Sequence, residues 1–243
     1  MNRRDAADLA GTVGLGAWVA FGVLTMVVIG QDGAQLWSDD GFLAWSLGHR
    51  PDVAGARARG VTDTGSGAVP YILAVLAGMV AGRTVRRRMG AAALGLACLG
   101  AGQALRYGVM EAVQRPRPAR ADWAASAGGW AFPSGHTTTA ALTAGLLIVA
   151  VSLRAPHSAT PLRVVIGCWG VLVGLSRVYL GVHWFTHAIG GWLFATGWLG
   201  VCLYAMTRWL PASFVSGPPH APDNPSEDHA SQDPGRRGRS RPA

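Results

Sequence analysis

The chain contains no lysine; all 21 of its basic residues are arginine. Charge of either sign is scarce, at 14% of 243 residues, where a soluble domain carries about a quarter. With 50% hydrophobic residues and a mean hydropathy of +0.25, this excludes a soluble globular enzyme. Cysteine is limited to Cys98, Cys168 and Cys202, each inside an apolar run. That excludes a disulfide framework and provides no metal-site spacing, so the three read as packing residues. The 34 glycines follow no Gly-X-Y period, which rules out collagen and fits close-packed membrane helices. The formal net charge is +8. It does not indicate nucleic-acid binding, because the arginines sit in short segments between apolar runs, where membrane topology places them.

What is present is a succession of uncharged stretches at 9–30, 64–82, 89–105, 137–153, 164–176 and 184–207. A bilayer span takes about 20 residues, within a range of about 17–25. The third stretch can run on to Met110, and the fifth, short at 13 residues, continues past Arg177 to Val182. The pattern predicts an all-α integral membrane bundle of six transmembrane helices over residues 1–210. With the N-terminus inside, thirteen of the 21 arginines fall on the cytoplasmic side, four of them in the loop at 83–88. The positive-inside rule therefore predicts a multi-pass cell-membrane protein with both termini cytoplasmic. The first stretch has two readings, an anchor or a cleaved signal peptide. Its length, and the lack of a clear small-residue cleavage site, favour the anchor. Residues 36–47 read as a short interfacial helix with tryptophans at headgroup level. Residues 211–243, rich in Pro, Ser, Gly, Asp and Arg, read as a disordered cytoplasmic tail.

Polar groups recur on one face of this topology. Arg-Pro-Arg-Pro at 115–118 follows the third span, Pro-Ser-Gly-His at 133–136 opens the fourth, and Ser176-Arg177 with His183 closes the fifth. Under the predicted orientation all three are extracytoplasmic. Arg117 and Arg177 offer planar forks of donors suited to phosphoryl oxygens. Ser134 and Gly135 precede a helix whose free N–H groups and positive dipole end favour an anion. Two histidines, 47 residues apart, can divide the work, one attacking phosphorus and the other protonating the leaving oxygen. No carboxylate cluster suited to magnesium stands beside them. The inventory is that of phosphate-ester cleavage with neither metal nor cofactor. Each part alone also has a plain structural reading, as a charged rigid loop, a helix cap or an interfacial histidine.

Together the clusters resemble the motifs of the type 2 phosphatidic acid phosphatase family, which shares its helical core with vanadium-dependent haloperoxidases. That family's pattern is Lys-x6-Arg-Pro, then Pro-Ser-Gly-His, then Ser-Arg-x5-His-x3-Asp. Here the first runs from Met110 to Arg117-Pro118, the second is intact, and the third runs Ser176-Arg177-x5-His183-x3-His187. The resemblance covers roughly residues 9–208. It implies a phosphohistidine intermediate on His183, His136 as the acid, and Arg117, Ser134, Gly135 and Arg177 holding the phosphate. Met110 stands at the family's lysine and His187 at the aspartate that orients the nucleophile. Arg106, one helical turn before Met110, is the candidate replacement for the lysine. His187 can accept a hydrogen bond from His183 but supplies no negative charge.

These residues predict a membrane phosphohydrolase for a lipid phosphate or isoprenyl diphosphate, with membrane lipids as its surroundings. A non-catalytic binder of lipid phosphates or of a cell-envelope partner is the second reading, and haloperoxidase chemistry a third. Oligomeric state is not legible.

Overall fold

The computed structural model describes residues 3–32, 34–36, 38–155 and 158–209. The expected tail, 211–243, lies outside the described residues. In chain order the helices are α1 (Arg3–Gly30), α2 (Asp39–Gly48), α3 (Asp52–Asp63), α4 (Val69–Ala81), α5 (Val85–Val113), α6 (Gly135–Arg154), α7 (Thr160–Tyr179) and α8 (Phe185–Trp209). A single turn of 3-10 helix spans Arg120–Asp122. No strand occurs among the described residues, so the fold is all-α as expected.

Local chemistry sets the boundaries. Thr84 accepts the Arg87 N–H at 3.4 Å and caps the start of α5. Gln114, left-handed at φ 51°, closes α5 by donating its N–H to the Met110 carbonyl. Prolines in the first turns of α4 and α7 forgo N–H groups that have no helical partner there.

Among the described residues α1, α6, α7 and α8 are each long and apolar enough to cross a membrane. The chain is thus a multi-pass membrane protein. The fifth stretch, short by sequence, forms the full 20-residue helix α7. The second is shorter than expected: α4 has 13 residues, because turns around Gly67 (φ 62°) occupy 64–68. The third, α5, is 29 residues long, but it begins in an arginine run and buries Arg106. The number of spans therefore does not follow from length and hydropathy alone. The helix predicted within 36–47 forms as α2, Asp39–Gly48; Trp37 of that stretch lies outside the described residues. A further helix, α3, was not anticipated, because residues 52–63 lack an apolar period; it packs on α7.

The bundle pairs α1 with α8, α4 with α5, and α6 with α7, while α6 also meets α4 and α8. Glycine sets the closest approach: a Cβ on Gly14 would stand 2.9 Å from the Gly200 Cα. Leu15, Val19, Val23 and Met26 on α1 point outward, as suits a helix solvated by hydrocarbon. Inward, Phe21, Phe132 and Phe194 form a buried cluster, with Phe21 stacked on Phe132 at 5.7 Å. Phe132 immediately precedes Pro133, so this core anchors the loop that delivers the Pro-Ser-Gly-His segment.

Candidate active site

Four chain segments supply the site: the end of α5 with its following loop, the start of α6, the end of α7, and the α7–α8 turn with the start of α8. At the α6 start, Ser134 is the N-cap. The first backbone bond of the helix runs from Thr138 N–H to Ser134 O at 3.0 Å. The N–H groups of Gly135, His136 and Thr137 precede it and belong to the unpaired first turn. Ser134 is fully buried. Its own N–H goes to His187 O at 3.1 Å, and its hydroxyl accepts from Thr137 Oγ1 at 3.0 Å. The second and third motifs are thereby tied directly together.

Arg106 reaches this helix start. Its Nε donates to Gln103 Oε1 at 2.9 Å, its Nη1 lies 3.4 Å from Met110 Sδ, and its guanidinium stacks 3.8 Å from the Tyr107 ring centroid. Gln103 is also hydrogen-bonded to Thr139 of α6. A Cβ at Gly135 would stand 3.4 Å from the guanidinium carbon, so the arginine lies in contact distance of the helix start. The side chain thus passes over Met110 to the Pro-Ser-Gly-His turn.

Arg117 holds the loop and the histidine at once. Its Nε and Nη2 donate to the carbonyls of Gly128, Gly129 and Trp130, and its Nη1 donates to Val182 O at 2.9 Å. The same Nη1 lies 2.7 Å from His183 Nε2. A guanidinium can only donate, so Nε2 accepts and the His183 proton sits on Nδ1. Burial first, then the Arg106 charge, lowers the Arg117 pKa to about 10. That coupling brings the two arginines into one field.

The α7–α8 turn depends on Gly181, at φ 71°. It ends α7 just after Arg177, returns Val182 N–H to Arg177 O at 3.2 Å, and places His183 in the interior at 3% exposure. Arg177 is equally buried. Its Nη1 reaches Thr62 Oγ1 of α3 at 3.4 Å, and its Nε meets no acceptor among the described residues. His187 is completely buried; its ring lies 5.5 Å from that of His183, at 87°. Neither ring nitrogen of His187, nor Nδ1 of His183, has a partner among the described residues. His136 is half-buried at the head of α6. The His183 pKa is held well below the usual histidine value, first by burial, then by the charges of Arg117, His187, Arg177 and His136. Both motif arginines and the other two histidines therefore act on His183.

Charge is the defining feature of the site. Arg106, Arg117 and Arg177 converge; none forms a direct ion pair with a carboxylate among the described residues, and Asp63 acts on Arg177 only from beyond ion-pair distance. Buried charge without a counter-charge is costly. The site is built for an anion.

Three contributors were not legible. Gln103 orients Arg106; its i−3 spacing on the same helical face was the available signal. Thr62 arrives on the unanticipated α3. Asp39 of α2 forms a fully buried ion pair with Arg115, at 2.8 Å, and accepts the Thr186 N–H at 3.0 Å. No local pattern links residues so far apart.

Comparison with known proteins agrees in the region of the motifs. The family model described as the PAP2 superfamily matches residues 90–211. Phosphatidylglycerophosphatase B of Bacillus subtilis (strain 168) is 31% identical over 153 residues, 61% of this chain and 71% of that one. Among solved structures, the first transmembrane PAP2 type phosphatidylglycerolphosphate phosphatase from Bacillus subtilis shares the fold. Its TM-score is 0.65 at 24% identity, covering 81% of this chain and 94% of that chain.

Proposed function

The chain belongs to the PAP2 superfamily, and on that footing we propose that it is a phosphohydrolase acting on a lipid phosphate or isoprenyl diphosphate. The observation that carries this reading is the convergence of three arginines, none in a direct ion pair among the described residues, on two histidines and an open helix start. A phosphate monoester brings the missing negative charge and several acceptor oxygens. The printed name of the Bacillus relative favours a glycerolipid monoester as the first substrate to test.

In the proposed mechanism the phosphate enters between Arg106, Arg177 and the first-turn N–H groups of α6. Arg117 turns its Nη1 from His183 to a phosphoryl oxygen. The freed Nε2 lone pair attacks phosphorus, the P–O bond to the leaving alcohol breaks, and His136 gives that oxygen its proton. Water, deprotonated by His136, then hydrolyses the phosphohistidine and releases phosphate. The arginines counter charge developing on the oxygens. His187 stands at the position of the family's aspartate and, in the proposed step, turns to accept from His183 Nδ1–H, a bond that the resting structure does not make. No step requires a metal or cofactor.

We further propose six spans in one domain, 1–210, with the site extracytoplasmic and the termini cytoplasmic. The arginine distribution and the common face of the three motifs support this arrangement. The test is phosphate release by purified protein in detergent from phosphatidic acid and from an isoprenyl diphosphate, with and without EDTA. The lack of a negative charge at position 187, where the family has aspartate, favours one competing reading, a binder that no longer turns over. Tight binding of phosphate or vanadate without release would establish that reading instead.

Two variants and a titration refine the proposal. Arg106→Ala is expected to lower kcat/KM by about 10²–10³-fold, the cost of losing one oxyanion donor. Adding Met110→Lys should restore much of it, since Met110 touches the guanidinium. Undiminished activity in Arg106→Ala would remove Arg106 from the site. The pH profile follows from the His183 shift. A histidine with depressed pKa stays neutral, hence nucleophilic, as pH falls through its ordinary value. The acid limb of kcat/KM, which reports the free enzyme, should therefore lie below about pH 6.5. A limb at or above that value would contradict the burial argument.

A further inference from the structure

An apolar cavity of about 380 Å³ lies beside the phosphate site, walled by α2, α3, α7 and the start of α8. Its volume falls in the range of about 300–1,000 Å³ usual for ligand pockets. Two of its walls are shared with the arginine cluster. On α7, Ser176 faces the cavity while the next residue, Arg177, faces the site; on α3, Val61 faces the cavity while Thr62 holds Arg177. Phe185 of α8 stands two residues after His183. The lining of α7 runs from Tyr179 back to Leu172, seven residues or about 10 Å along the helix axis. The cavity thus extends from the outer end of α7 toward the interior of the membrane. At its rim Leu172 and Trp45 are half-exposed, so it opens sideways.

From this juxtaposition we infer that one acyl chain of the phosphate-bearing substrate lies in the α2–α3–α7 groove while its headgroup meets Arg177 and His183. The inference rests on the phosphohydrolase reading and adds a chain-recognition subsite to it. One residue on each of two helices separates the apolar wall from the charged one. A lipid entering laterally therefore seats its tail in the act of presenting its phosphate. Ala58 is a small side chain on the α3 wall, so added bulk there fills the groove.

Two measurements test it. In the first, dioleoyl and dihexanoyl phosphatidic acid are compared as substrates of the full chain in detergent. Ala58→Trp and Leu172→Trp should each lower the long-to-short ratio of kcat/KM by about tenfold or more, through KM. Leu15→Trp, on the outward face of α1, should leave that ratio unchanged. Unchanged ratios in both groove variants overturn the inference, as does an equal loss on both substrates. The second measurement needs no turnover. Phosphatidic acid carrying a photoactivatable group in one acyl chain should cross-link to peptides of α2, α3 and α7, and Ala58→Trp should abolish those adducts. Equal labelling by the matching diacylglycerol would show bulk lipid in the groove and overturn the inference. If unmodified protein releases no phosphate yet labels the groove selectively, the phosphohydrolase reading fails and the subsite stands.

Discussion

His183→Ala is expected to abolish phosphate release, with a loss on the scale of about 10⁴–10⁶-fold, as for removal of a covalent nucleophile elsewhere. The expectation rests on the position of Nε2. It is buried, its lone pair is directed at Arg117, and its proton is confined to Nδ1. Among the described residues no second histidine is held in this way against an arginine. His187 is enclosed, and His136 heads the opposite helix. The substitution also deletes a buried ring, so folding is monitored by thermal unfolding in detergent, with His183→Gln as a larger replacement. A phosphoenzyme trapped by alkaline quench from the unmodified protein should be missing from both variants. Release above about a hundredth of the original rate in a folded His183→Ala protein would reject the covalent mechanism.

Asp39→Asn should lower stability by about 3–5 kcal/mol, the cost of stranding a buried charge after its partner is removed. Asp39 and Arg115 are 2.8 Å apart with side chains at 0% exposure. The carboxylate also accepts the N–H groups of Leu36 and Thr186, and Thr186 Oγ1 accepts from Arg115 Nη1. The Arg115 pKa is itself lowered by burial and raised back by Asp39, so loss of the acid leaves the desolvated cation uncompensated. Through Thr186 the pair caps the N-terminus of α8, the helix carrying His187. Thermal unfolding in detergent should fall by about 10 °C or more. The double variant Asp39→Asn, Arg115→Met should recover a large part of that, because both charges are then gone. An Asp39→Asn protein as stable as the unmodified one would show that the pair contributes nothing.

The sequence was most informative where chemistry is contiguous. Pro-Ser-Gly-His forms a helix start, and Ser176-Arg177 with His183 spans one turn closed by Gly181; a reader of residues sees both because their geometry is local. Arg106 was singled out by its spacing from Met110, and its guanidinium lies beside Gly135, while its part in phosphate binding is a proposal. Contacts assembled from distant segments were invisible. Asp39 and Arg115 meet only after α2 folds back on the bundle, and α3 earns its place through Thr62 and Val61 rather than through any period of its own. Hydropathy was least decisive for α4 and α5. One is shortened by turns, and the other spends its polar residues on the site.

On the proposed mechanism, the contact between Arg117 and His183 has a consequence for selectivity. Membranes are crowded with carboxylic esters, electrophiles that a bare imidazole can acylate. Such an ester carries no charge with which to draw a guanidinium aside, so the attacking nitrogen stays masked in its presence. Only an oxyanion that competes for the arginine uncovers the reagent that will cleave it. On the proposed mechanism the resting contact is a gate keyed to charge, which keeps the imidazole masked against neutral ester groups.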